Sequence, residues 1–143
     1  MAGELTPTQR EHIAMVQRAF QLWVGRDIEG VLEMYAPDVV VTAPDFMNAG
    51  PFHGHEGFME WTSRWNEAWG SFDFDVQDVD AVGERHVVAT VMVTGEGRES
   101  GVPVKRLACW VAEIRNKQGV YIEVVGSPER ALRIAREREG LGT

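Results

Sequence analysis

Residues 72–126, FDFDVQDVDAVGERHVVATVMVTGEGRESGVPVKRLACWVAEIRNKQGVYIEVVG, decide the fold. Phe72, Phe74 and Val76 alternate with Asp73, Asp75 and Gln77, the period of a sheet with one dry and one wet face. Gly83-Glu84 stands between two such runs and predicts a hairpin. Arg85–Gly95, Val104–Arg115 and Val120–Gly126 then complete a long antiparallel meander, with Gly119 read as its last turn. Beyond it, Ser127-Pro128-Glu129 opens a terminal helix whose outer face is rich in Glu and Arg.

Working outward toward the N-terminus, the spacing changes to that of helices. Thr6-Pro7-Thr8-Gln9 predicts a helix start, with Thr6 as cap, Pro7 in the first turn and Gln9 closing a capping box. Ile13, Val16, Phe20 and Trp23 follow at three- and four-residue steps as one buried stripe. Asp27 caps a second short helix carrying Ile28, Val31, Leu32 and Tyr35, which Pro37 is expected to end. Asp38–Ala43 is β-branched and reads as a strand, and residues 44–54, PDFMNAGPFHG, read as a Pro/Gly-rich loop. A third helix from Glu56 places Phe58, Trp61, Trp65 and Trp69 (or Ala68) on one side, and Gly70 stops it.

Helices first and antiparallel strands after define an α+β class, not a parallel βαβ fold. No repeat or linker divides the 143 residues, so a single domain is expected over 1–143, with its core over about residues 8–138. Lys plus Arg is 14 and Asp plus Glu is 22, a net charge of −8 that repels a phosphate backbone and argues against nucleic-acid binding. The single cysteine, Cys109, allows neither an intrachain disulfide nor a Cys-based metal site. The start MAGELTPTQREH lacks the features of a signal peptide and no run is apolar enough to span a membrane, so a cytoplasmic protein is expected.

Three stretches, VQRAFQLWVGRDIEGVLEMYAPDVV, FHGHEGFMEW and WVAEIRNKQGVYIEVVGSPERAL, stand in an order that resembles the SnoaL-like branch of the nuclear transport factor 2-like superfamily. The resemblance runs from Glu11 to Arg136. Ketosteroid isomerase, polyketide cyclases and limonene epoxide hydrolase belong to the same superfamily. It implies a cone-shaped α+β barrel: three N-terminal helices packed on a strongly curved, mainly antiparallel sheet that leaves a cavity. It also implies a homodimer formed through the outer face of the sheet.

The catalytic groups of those relatives do not carry over. Ala19 stands where the ketosteroid isomerase Tyr is expected, and Ala43 where its proton-shuttling Asp is expected. Its third group falls among Ala108, Cys109, Trp110 and Val111, none of them an acid. The Arg-x-Asp motif of limonene epoxide hydrolase falls on Arg106-Leu107-Ala108, without the Asp. No nucleotide-binding Gly loop is present, so no cofactor is expected.

Two residues remain as acid/base candidates. Asp45 lies two positions after Ala43 and points the same way if the strand continues; among Trp and Phe its carboxyl would have a raised pKa suited to moving a proton. Otherwise it is a turn residue in water. His53 is placed to reach a cavity mouth, whereas His55, in the turn Gly54-His55-Glu56-Gly57, fits a structural hydrogen bond. His53 and His55 lack the further ligands a tight metal site needs, so no metal is expected. Trp23, Tyr35, Phe58, Trp65 and Trp110 are the expected ligand-binding walls, and Trp61 and Trp69 the expected core filling. Glu113 and Glu123 sit on otherwise apolar strands: facing inward they are acid candidates, facing outward they are solvated or pair with Arg115 or Arg106, and alternation favours outward.

Three functions fit these features. The first is a cofactor-independent cyclase, isomerase or hydrolase acting on an apolar small molecule of polyketide, steroid or terpene type. The second is a non-catalytic binder of a hydrophobic metabolite. The third is a dimerising interaction module whose cavity is filled by its own aromatic rings.

Overall fold

The computed structural model describes residues 4–45, 49–97 and 99–141. Helix α1 (Pro7–Val24) begins as its capping box requires: the Thr6 hydroxyl accepts from the Gln9 amide and the Gln9 side chain accepts from the Thr6 amide. Its buried side is His12, Val16, Phe20 and Trp23. Asp27 caps α2 (Ile28–Glu33) by accepting from the Gly30 amide.

Two readings of the next segment need correction. Helix α2 ends before Tyr35, which instead opens strand β1 (Tyr35–Ala43), so Pro37 lies within that strand and not after a helix. Residues Ala49–His53, read as loop, form strand β2, paired antiparallel to β1 with Val40 opposite His53. A strand at the sheet edge tolerates the Gly and Pro that made this stretch look irregular. Phe46, Met47 and Asn48 of the predicted loop lie outside the described residues.

Helix α3 (Gly54–Ala68) follows, then β3 (Trp69–Val82), β4 (His86–Gly97), β5 (Pro103–Arg115), β6 (Gln118–Val125) and α4 (Pro128–Glu139). Trp69 therefore belongs to β3, where it pairs with Gly97, and not to the helix. The last hairpin turns at Asn116-Lys117, both at positive φ (51° and 62°), and not at Gly119. The six strands form one sheet in the order β2-β1-β6-β5-β4-β3. Among the described residues only the β1–β6 pair is parallel. The sheet is open, with β2 and β3 as its two edges, so the barrel expected from the resemblance is not closed.

Strand alternation separates two cores. On one face α1, α2 and α3 cover Val39, Val41, Phe74, Val91, Trp110, Ala112 and Val124. On the other, Ala131 and Ala135 of α4 pack against Val88, Cys109, Val111 and Val125. Part of the face expected to pair two copies is thus covered by the chain's own C-terminal helix. No helix among the described residues is long and apolar enough to cross a membrane.

Candidate ligand cavity

The helical face of the sheet holds a small cavity between α1 and the middle of the sheet. Helix α1 contributes Met15, Val16, Ala19, Phe20 and Trp23, and the end of α2 contributes Val31 and Met34. Tyr35 comes from β1, Trp110, Ala112 and Ile114 from β5, and Gly119 and Ile122 from β6. Alternation explains the β5 set, since residues two apart share a face. The cavity volume is about 40 Å³, and the free space it belongs to is about 530 Å³ when counted out into solvent. A water needs only about 10–15 Å³ on this measure, so the cavity holds a group of several heavy atoms but not a polycyclic skeleton.

Its wall is apolar apart from the Tyr35 hydroxyl and the indole N–H groups. The Tyr35 hydroxyl makes no hydrogen bond among the described residues, and burial pushes the phenol well above its usual pKa. The backbone of the same residue is tied down: His55 Nε2 lies 3.0 Å from the Tyr35 carbonyl oxygen, the structural role expected of His55.

Beside the cavity the rings fill space. Trp23, Trp61 and Trp65 form a triangle with centroids 5.2, 5.8 and 5.7 Å apart, and Phe58, Phe72 and Phe74 pack around it. The contacts of Trp23 with Trp61, Phe58, Phe72 and Phe74 are edge-on, a preferred geometry for aromatic pairs. Of the expected walls, Trp23, Tyr35 and Trp110 line the cavity, whereas Phe58 and Trp65 lie in this aromatic core. Ala19 lines the cavity; Ala43 is buried but does not line it.

Asp45 and His53 sit elsewhere. Asp45 follows β1, where its two carboxylate oxygens accept from Arg130 Nη1 at 2.8 Å each and Oδ2 accepts from the Gly126 amide at 2.9 Å. The Gly126 amide, first, holds its carboxyl below the usual value; burial opposes it, and the Arg130 guanidinium adds to the lowering, so the shift is the opposite of the expected upward one. His53 is exposed at the N-cap of α3 and borders a shallow polar hollow with Glu56, Glu60 and Arg64. Among the described residues no group of three or more His, Cys, Asp or Glu side chains is arranged to hold a metal.

A polar cluster on the opposite face was not visible in the pattern of residues. His86 (1% exposed) and Glu113 (6% exposed) are buried beneath the end of α4. The His86 Nδ1 contacts Glu139, and Glu113 accepts from Arg138 Nη2 at 2.8 Å and from Arg115 Nε at 2.5 Å. The expected Glu113–Arg115 pair is therefore present, though buried on the acidic side. Glu123 accepts from the Tyr121 hydroxyl at 2.6 Å instead of pairing with an arginine.

The chain is an open mixed sheet with three helices over one face and an apolar cavity between them. Residues 16–122 match the SnoaL-like domain family, and the chain belongs to that family. Solved structures of the same fold include TerC co-crystallised with polyporic acid (19% identity, 84% of this chain and 94% of that one, TM-score 0.74). An NTF2-like protein of unknown function from Burkholderia pseudomallei K96243 is also similar (20% identity, 87% and 97%, TM-score 0.75). A third is a Catenulispora acidiphila DSM 44928 protein with a ketosteroid isomerase-like fold, in complex with trimethylamine (13% identity, 85% and 90%, TM-score 0.69). At these identities the likeness concerns the fold. Among curated proteins none matches this chain by sequence.

Proposed function

We propose that this protein binds an apolar small molecule in the cavity between α1, the start of β1 and strands β5 and β6. One observation carries the reading: space lined by Ala19, Tyr35, Trp110 and Gly119 stays open inside a core that is otherwise filled by rings. An apolar void costs packing energy, about 24 cal/mol per Å³, so about 1 kcal/mol for 40 Å³. Relatives of the fold crystallised with polyporic acid and with trimethylamine support the small-molecule part of this reading. The ligand is small, or only its end enters. Met15 and Met34 at the wall are flexible enough to admit more.

Acid/base turnover by Asp45 and His53 is supported less well. The Asp45 carboxylate is engaged by Arg130 and Gly126, and neither residue lines the cavity. The pure interaction module is favoured by the Trp23–Trp61–Trp65 packing but not by the remaining void.

Trp23 and Trp110 in the wall make Trp emission the readout. Titration with small cyclic ketones, alkenes and monoterpenes is expected to change wild-type emission with saturation. Ala19→Val is expected to weaken the response about tenfold while keeping the fold, because its added methyl groups occupy the void. An emission spectrum unmoved by every compound in the wild-type protein would sink the proposal.

A further inference from the structure

The cavity is narrow for the length of wall that borders it. Its lining takes in α1 from Met15 to Trp23, about 12 Å along the helix axis, and β5 from Trp110 to Ile114, about 13 Å of strand. A volume of about 40 Å³ against that much wall is a slot and not a round chamber. Rings close it on the inner side: Trp110 lies 5.0 Å from Phe20 and 6.2 Å from Trp23, centroid to centroid, and all three are buried. Met15, Ala19, Met34 and Tyr35 are only half-buried and form its rim, where the space runs on into solvent.

The wall also sets which part of a molecule can enter. No Lys, Arg, His, Asp or Glu lines the slot, so a charged or strongly polar group inside it would lose hydration and gain no partner. The same group left at the rim keeps its water. Resting on the pocket reading above, we infer that the ligand is a single-chain amphiphile bound end-on. Its unbranched hydrocarbon end lies in the slot against Trp23 and Trp110, and its polar group stays in water at the rim. Met15 and Met34 suit that rim, because flexible thioether side chains adapt to a chain passing between them. Branched or compact hydrocarbon ends are excluded by width, and molecules with a polar group at both ends by the cost of burying one of them.

The test uses the wild-type protein and three alcohols of six carbons, with binding followed by Trp emission. 1-Hexanol carries a straight chain and one polar end; 3,3-dimethyl-1-butanol is its branched isomer; 1,6-hexanediol has a hydroxyl at each end. 1-Hexanol is expected to bind about tenfold more tightly than the branched isomer, whose extra width overpacks the slot. It is expected to bind about tenfold or more tightly than the diol, which must leave a buried hydroxyl unpaired. Across 1-butanol, 1-pentanol and 1-hexanol the affinity is expected to rise about fourfold per methylene. Equal affinity for the branched isomer overturns the straight-chain assignment, and equal affinity for the diol overturns end-on binding. Failure of every alcohol, with small cyclic ketones or monoterpenes still bound, overturns the inference and leaves the pocket reading intact. Failure of all these compounds overturns both.

Discussion

Gly119 faces Tyr35 across the parallel β1–β6 pair so closely that a Cβ at position 119 would stand 2.8 Å from Tyr35 Cδ1 and 3.1 Å from Cε1. No positive φ requires glycine there; the ring does. Gly119→Ala is expected to push the Tyr35 ring aside or into the cavity, with a loss of about 1–3 kcal/mol from overpacking. Thermal unfolding measures the loss, and the emission titration measures the accompanying fall in ligand affinity. A variant as stable as wild type with unchanged binding would show that the ring moves freely.

Asp45 and Arg130 tie the end of β1 to the first turn of α4. The folded-state pKa of Asp45 lies below that of the unfolded chain, so its contribution is complete above the unfolded value, near 4, and is lost as pH falls through the folded value. Both side chains are partly exposed, which limits the pair to about 0.5–1 kcal/mol after screening. Asp45→Asn is expected to lower stability by that amount at pH 7, with the gap closing toward pH 3 in urea titrations. Probe binding in the cavity is expected to stay unchanged in this variant. A loss of binding would instead join Asp45 to the ligand site.

Glu139 closes the C-terminal helix onto the β3–β4 hairpin. Its carboxylate accepts from the amides of Glu84 and Arg85, at 3.2 Å each, and contacts His86 Nδ1. Truncation by Glu139→Ala strands these donors and leaves His86 beside Glu113 with one fewer partner. A loss of about 2–3 kcal/mol is expected, with Glu139→Gln intermediate because it keeps one acceptor oxygen. Amide hydrogen exchange in α4 is expected to accelerate with the stability loss. Unchanged protection would mean that Ala131 and Ala135 alone hold the helix.

Much of the architecture was legible because its signals are local. The Thr6 capping box, the Asp27 cap and the Phe72–Val76 alternation each rest on neighbours within a few residues, and all three appear as read. Errors fell where tertiary pairing overrode local cues. Pro37 and Pro51 look like breakers, yet both lie in strands at or next to the sheet edge. Gly119 looks like a turn, yet it is a close approach to Tyr35, and the turn belongs to Asn116 and Lys117.

From the residues alone came the order of helices and strands and the apolar faces, because composition and period are properties of the chain itself. The resemblance added that Ala19 and Ala43 replace the Tyr and the Asp of ketosteroid isomerase. The fold in space decided the rest: which aromatic rings touch one another, that Tyr35 borders a void, and that Asp45 answers to Arg130, 85 residues away. A cavity is space left over by elements distant in sequence, and side-chain charge depends on which distant partner arrives, so neither leaves a local trace.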